Sequence, residues 1–333
     1  MPAEWEPHEA TWLAWPQTIE YWPDMDSMES IYKRMVFELT QGENVNILVN
    51  TETKKRDLGQ EFKEAGFKMN KILFHLIPTK DIWIRDYGPT FLIEETYRQL
   101  IACRWKFNAW GEKYDMPDEP LVSKKIQQNL GIDDLTPNII MEGGAIEVNG
   151  EGTCLTTEEC LLNLNRNPGK VKVSLENYFK EFLKIRQTIW LCGHLEGDDT
   201  DGHIDNLARF VNKNTILCAW ETNPNDPNYE GLKQNYELLT RTKNIQGKPF
   251  NVVKFPMPEP VTEDSRRLPA SYANFYIGNS ALLVPTYDQP TDDAVINIIE
   301  KLFPDRRVVA IPSTILITGN GGPHCATQQQ PRI

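Results

Sequence analysis

Short apolar runs recur along the chain at 45–49, 72–77, 90–93, 100–103, 188–192, 215–219, 251–255, 281–285 and 307–311. Their length and their bounding turn residues predict buried strands. Between them the period changes from run to stripe. Over 173–185 the apolar residues Leu175, Tyr178, Phe179, Phe182 and Leu183 fall at i, i+3, i+4, i+7 and i+8, one face of a helix. Tyr229, Leu232, Tyr236 and Leu239 do the same over 228–241, and Val295, Ile298, Ile299 and Leu302 over 292–303, where Pro304 ends the helix. The better helices start near residues 53, 120, 172, 228 and 291, so a strand–helix–strand unit returns about every 60 residues. The amino acids themselves do not repeat. This pattern predicts an α/β fold. It fits an open doubly wound sheet and equally a radial repetition of small units, and periodicity alone does not choose.

Composition narrows the class. The 333 residues include 23 dispersed prolines and no linker-like stretch, which predicts one compact domain over 1–333. With 40% apolar and 25% charged residues the chain is a folded protein rather than a disordered one. Its net charge of −12 argues against nucleic acid as a partner. No apolar run approaches the ~20 residues needed to cross a membrane. The start, Met1-Pro2-Ala3-Glu4-Trp5, lacks the basic and apolar regions of a secretion signal, so a cytoplasmic location is expected. The six cysteines are scattered without a C-x-x-C pair, which predicts reduced thiols and no zinc ribbon.

Four segments are dense in polar residues. The first runs from Lys80 through Trp83, Arg85 and Asp86 to Gly88-Pro89. It follows a strand, so Asp86 is expected on a loop where sites are often built; the plainer alternative is a surface Arg85–Asp86 pair in a turn. The second, Glu142-Gly143-Gly144, allows close backbone approach or a positive φ beside a carboxylate, or else a hairpin turn with an exposed Glu142. The third, 197–206, sets Asp198, Asp199, Asp201 and Asp205 around His203. In a strand, His203 and Asp205 share a face, and a carboxylate beside a histidine helps it keep the proton that a general acid needs. An EF-hand reading fails, because Gly202 at loop position 6 puts Gly197 at position 1 and Ala208 at 12. A His-x-Asp zinc site lacks further ligands at a useful spacing. The fourth, Gly319-Asn320-Gly321-Gly322-Pro323-His324-Cys325, leads glycines into a thiol. The glycines leave room around a nucleophilic sulfur, or the cysteine is inert and buried on a last strand. Cys103, Cys154, Cys160, Cys192 and Cys218 read as packing, as do His8, His75 and His194.

A thiol, a histidine and several carboxylates from four segments suggest a cysteine nucleophile with acid–base help. A protease stabilises a developing oxyanion with donors, whereas Asp86, Glu142, Asp199 and Asp205 would repel one. They suit a cation, and the planar cation that matches forked carboxylates is a guanidinium.

At this point the chain resembles the agmatine deiminase family of the guanidino-group-modifying, or pentein, superfamily. The motifs that carry the resemblance are Trp83-Ile84-Arg85-Asp86, Glu142-Gly143-Gly144, the run from Asp198 to Asp205, and His324-Cys325-Ala326-Thr327-Gln328-Gln329. The opening Met1 to Trp12, Asn108-Ala109-Trp110-Gly111 and Asn165-Arg166-Asn167-Pro168 are also similar. Pro323 departs from the aliphatic residue more usual before His-Cys. The resemblance implies a five-bladed, pseudo-fivefold α/β propeller of ββαβ-type units with a central site. It implies Cys325 as the nucleophile, His203 as general acid and then base, and Glu142 as its support. Asp86 and Asp205 would grip the guanidinium, and Asp199 the distal ammonium of agmatine. Trp83 and Trp110 either wall the channel or belong to the core. The implied reaction gives N-carbamoylputrescine and ammonia through an amidino-cysteine, a step toward putrescine, without cofactor or metal. A homo-oligomer stays open. The alternatives are a deiminase of free or peptidyl arginine and a non-catalytic polyamine-binding protein.

Overall fold

The apolar runs do form strands. The computed structural model describes every residue except 18–21, 23 and 95. The nine runs become Asn44–Val49, Ile72–Leu76, Thr90–Glu94, Gln99–Cys103, Gln187–Leu191, Thr215–Trp220, Asn251–Pro256, Ala281–Thr286 and Arg307–Pro312. The architecture is mixed α/β. Among the described residues there are five sheets of three or four strands and a two-stranded ribbon, Thr262–Glu263 with Arg266–Arg267.

Four of the sheets share one connectivity. An antiparallel hairpin leads through a helix to a third strand lying parallel to the hairpin's second strand. A parallel return requires a crossover, which is why Glu119–Leu130, Lys172–Tyr178, Tyr229–Arg241 and Thr291–Leu302 stand where they do. The remaining sheet joins both ends of the chain. Gln328–Pro331 pairs antiparallel with His8–Ala14, which is followed by helix Met25–Leu39, parallel strand Asn44–Val49, helix Glu52–Glu64 and parallel strand Ile72–Leu76. The helix expected near 53 is therefore an extra crossover. The one equivalent to the other four is Met25–Leu39, whose face of Met28, Ile31, Tyr32, Met35, Val36 and Leu39 is buried.

Helix faces match their apolar stripes. Leu232 and Leu239 are fully buried on Tyr229–Arg241, each worth about 2 kcal/mol of apolar transfer. The continuous helix expected over 173–185 is not formed: Lys172–Tyr178 is α-helical and Phe179–Leu183 is a wider π-type turn, stopped by Lys184 at φ 59°. The wider turn still leaves Leu175, Phe179 and Leu183 buried. All six thiols are free, four of the five read as packing are fully buried, and Cys192 is half-buried. Among the described residues no helix is long and apolar enough to cross a membrane.

Candidate active site

The four polar segments meet. Asp86 lies on a single helical turn, Ile84–Tyr87, rather than on an open loop. Arg85 is buried and not part of a surface pair. Its backbone N–H donates to the Cys325 carbonyl (3.1 Å), and its guanidinium donates to the His324 carbonyl (3.3 Å) and to Gln329 Oε1 (2.6 Å). The Asp86 carboxylate accepts from the Gly144 N–H at one oxygen and from Trp110 Nε1–H at the other, both at 2.9 Å. Burial raises its pKa, although the His203 charge works in the opposite direction. Ala109 and Trp110 both adopt left-handed backbone (φ 54° and 55°), an uncommon conformation for a bulky residue, and the strained bend aims the indole at Asp86.

Glu142 is fully buried, so the exposed hairpin is excluded. Arg166 Nε donates to it at 2.6 Å. Burial would push its pKa up, but His203 and Arg166 outweigh burial and hold it below the usual range. Gly143–Ala145 is a 3₁₀ turn without positive φ at either glycine; what the glycines supply is close approach. A Cβ on Gly144 would lie 2.5 Å from His203 Nδ1, 3.0 Å from Asp86 Oδ1 and 3.1 Å from Asp205 Oδ2. The site is packed around the side chain that Gly144 lacks.

His203 and Asp205 reach this point from a 3₁₀ turn, Ile204–Asn206, and not from the expected strand. The strand begins only at Ala208. Asp198 and Asp201 shape the loop: Asp198 accepts from the backbone N–H groups of Thr200 and Gly202, and Asp201 pairs with Lys113 and Arg166. His203 is fully buried, and among the described residues neither ring nitrogen has a hydrogen-bond partner. Nδ1 is 3.8 Å from Asp86 Oδ1, and Nε2 is 3.9 Å from Glu142 Oε2. Burial disfavours its charged form, yet the Asp86 charge, with help from Cys160 and Glu142, raises its pKa well above the ordinary value. Asp205 Oδ2 contacts His324 Nδ1 at 2.7 Å and Cys325 Sγ at 3.5 Å, while its Oδ1 is buried without a partner among the described residues.

Cys325 sits at the floor of a pocket of about 290 Å³, lined also by Trp83, Asp86, Trp110, Asp199 and Thr200. Both tryptophans are thus buried and pocket-facing at once. The glycines before Cys325 do not serve to clear its sulfur. A Cβ on Gly321 would strike the Trp83 ring at 2.5 Å, and one on Gly322 would meet Asn274 Oδ1 at 2.7 Å. Burial, followed by Asp205 and Asp86, raises the Cys325 thiol pKa well above the ordinary value. Asp199 accepts from the Tyr114 hydroxyl and from Asn320 Nδ2 (2.8 Å) and is half-buried on the pocket wall.

Several residues of the site are not among the candidates singled out in the sequence. Asn274 donates to Cys325 Sγ at 3.0 Å and accepts from the His324 and Cys325 N–H groups. Glu4, buried near the N-terminus, contacts His324 Nε2 at 2.8 Å and accepts from Arg209 at 2.9 Å and Arg85 at 3.4 Å. Cys160, expected to be mere packing, has its sulfur 3.9 Å from Glu142 Oε2. Asp81 lines the pocket; burial, with Glu119, Asp199 and Asp86 adding, raises its pKa to about 7.

The comparisons with known proteins all point to deiminases of guanidino groups. The family model for Porphyromonas-type peptidyl-arginine deiminase matches residues 1–331. The chain is similar to the agmatine deiminase of Medicago truncatula, with 35% identity covering 100% of this chain and 96% of that one. It is also similar to the agmatine deiminase of Pseudomonas syringae pv. tomato, with 34% identity covering 99% and 95%. Among solved structures, an agmatine deiminase of C. jejuni with substrate bound superposes with a TM-score of 0.89 and 31% identity, covering 100% of this chain and 96% of that one.

Proposed function

The chain belongs to the Porphyromonas-type peptidyl-arginine deiminase family, and we propose that within it this protein is an agmatine deiminase, hydrolysing the guanidino group of agmatine to N-carbamoylputrescine and ammonia. The observation that carries this reading is a thiol, Cys325, that lines an acid-walled pocket together with Asp86, lies 3.5 Å from Asp205, and shares Asp86 with the protonatable His203 3.8 Å from that carboxylate.

Asp86 and Asp205 take the guanidinium nitrogens, the unpartnered Asp205 Oδ1 being free to accept one. This aims the central carbon at Cys325 Sγ and turns a bimolecular encounter into a positioned one. The sulfur forms a bond to that carbon. His203 gives a proton to the departing terminal nitrogen, the C–N bond breaks, and ammonia leaves. His203, now neutral, takes a proton from water as the oxygen attacks the S-alkylthiouronium carbon. The C–S bond then breaks and leaves a ureido product and the free thiol. Glu142 supports the imidazolium through charge across 3.9 Å rather than through a hydrogen bond. The thiol is disfavoured as an anion because of burial and the two carboxylates, and an arriving cation neutralises those carboxylates. Thiolate formation therefore accompanies substrate binding, the thiol proton passing to solvent, where the released ammonia takes up a proton. Asp199 and Asp81 on the pocket wall receive the distal ammonium, flanked by Trp83 and Trp110.

The product places the reaction in putrescine formation, and the six free thiols suit the cytoplasm. The repeated ββαβ connectivity supports packing of the five sheets as blades about a pseudo-fivefold axis, in one domain over 1–333. A single cooperative calorimetric transition is expected; two resolved transitions would contradict a single domain.

A second reading has one observation in its favour. Arg266 lines the pocket from the exposed ribbon and offers the cation that the carboxylate of free arginine would need. Turnover of agmatine, arginine and a blocked arginine peptide separates these readings. Agmatine is expected to lead by at least about 100-fold in kcat/KM, roughly 3 kcal/mol. Preference for arginine would sink the substrate assignment. Cys325→Ala is expected to lose turnover and retain agmatine binding by calorimetry; turnover without this thiol would exclude the covalent route.

A further inference from the structure

Behind the pocket floor three different donors converge. Glu142 Oε2, on the side of the carboxylate away from the Arg166 Nε contact, is 3.9 Å from Cys160 Sγ and 3.9 Å from His203 Nε2. One ligand atom from each of the three buried residues lies within 4.8 Å of the other two. Both nitrogens of His203 are buried without a hydrogen-bond partner among the described residues, so a ring nitrogen faces this cluster unclaimed and offers its lone pair once its proton leaves. A carboxylate oxygen, a sulfur and an imidazole nitrogen are zinc ligands, and bonds of about 2.0–2.3 Å to a tetrahedral centre put such ligands about 3.5 Å apart. A contraction of a few tenths of an ångström brings the two 3.9 Å contacts to that spacing, and the sulfur and the imidazole nitrogen already lie within 4.8 Å of each other, so the three donors can occupy three corners of a tetrahedron.

We propose that Glu142, Cys160 and His203 form a binding site for one zinc-like divalent cation, and that its occupation switches the enzyme off. On binding, the cation takes the Cys160 sulfur, a His203 nitrogen and Glu142 Oε2, and the thiol proton and one imidazolium proton leave to solvent. Glu142 keeps Arg166 on its other oxygen. Three protein donors with the fourth corner open, and an arginine already sharing the carboxylate, make a site weaker than a four-ligand structural one, so occupation is reversible. The inhibitory half rests on the role of His203 under the proposed function. A ring metallated at Nε2 retains only the Nδ1 proton. Giving it up forms an imidazolate, and no vacant position remains to accept one from water. The ring is lost both as acid and as base. Cys325 takes no part in the site.

The test uses Zn²⁺ and Co²⁺ separately, added to metal-stripped, substrate-free protein and to its Cys160→Ala and Cys325→Ala forms. One equivalent of Zn²⁺ by elemental analysis and a thiolate-to-cobalt absorption band are expected in the wild type and in Cys325→Ala. In Cys160→Ala the band is expected to disappear and affinity to fall at least about tenfold. Zn²⁺ should slow wild-type agmatine turnover tenfold or more, a chelator should restore it, and whatever turnover Cys160→Ala retains should resist the metal. Where Cys160→Ala does not fold, Cys160→Ser, similar in size, takes its place. A band that survives loss of Cys160 and vanishes with Cys325 would overturn the site, as would the absence of stoichiometric binding. Stoichiometric binding without loss of turnover would overturn the switch. The cobalt band is read without substrate, so it decides the site even if agmatine proves not to be the substrate.

Discussion

Gly144 shows how strictly the site is fitted at the scale of single residues. Its missing side chain is the space in which His203, Asp86 and Asp205 face one another, so Gly144→Ala places a Cβ 2.5 Å from His203 Nδ1. The variant should fold, since its φ is not in the left-handed region, yet lose about 10²-fold or more in kcat; wild-type turnover would refute this geometry. Asp81 makes the opposite kind of prediction. Its pKa is raised from 3.8 to about 7, chiefly by burial and also by the facing charges of Glu119, Asp199 and Asp86. Between pH 4 and 7 the folded state therefore holds a proton that the unfolded state has released. Stability falls as pH rises through that window, and the loss is complete above it. Asp81→Asn should thus stabilise the protein at pH 8, by at most about 4 kcal/mol, and change nothing at pH 3. The same variant should raise KM for agmatine, because the wild-type carboxylate charges above pH 7 to face the ammonium. Thermal melts and kinetics over pH 5–9 check both signs. These two residues differ in legibility. Gly144 stands next to a conspicuous acid, whereas Asp81 matters only because folding removes its water.

At the scale of elements, the helix Tyr229–Arg241 was legible from its apolar stripe, but its buried Asn235 was not. The Asn235 amide accepts from the Cys192 N–H and donates to the Cys192 carbonyl, both at 2.8 Å, just past the end of strand Gln187–Leu191. Asn235→Leu orphans both groups and should cost roughly 1–3 kcal/mol in chemical denaturation while leaving agmatine turnover unchanged. The turns behave likewise. Ile84–Tyr87 and Ile204–Asn206 are three or four residues long, too short to show a period, and their form follows from contacts made by other segments. The turn holding Asp86 is tied through the Arg85 N–H to the Cys325 carbonyl, 240 positions away. A pattern read along a window of a dozen residues contains no trace of such a bond.

For the whole molecule the decisive feature is how the two ends of the chain meet. Gln328–Pro331 completes the sheet that His8–Ala14 begins, which pins Cys325 three residues before a paired strand. Deleting residues 328–333 should therefore lower the melting temperature and abolish turnover, although no catalytic group is removed. Full activity in the truncated protein would show that Cys325 is positioned by other means. Glu4 closes the same seam. Burial works against its charge, but Arg209, His324 and Arg85 hold its pKa well below the usual range. Glu4→Gln leaves the Arg209 and Arg85 guanidiniums under-compensated in the interior and should cost about 3–5 kcal/mol in urea titration. What the sequence alone determined is substantial: the α/β class, the strands and most helices, and the candidates Asp86, Glu142, Asp199, His203, Asp205 and Cys325, because side-chain period and clustered acids are local properties. Only the tertiary structure decided that Glu4, Asn274, His324 and Arg209 hold those groups in place, that Cys160 lies against Glu142, and that Met25–Leu39 rather than Glu52–Glu64 is the equivalent crossover. Those facts depend on contacts between segments distant along the chain, and the low-dielectric interior that makes each buried charge need its partner exists only once the chain has folded.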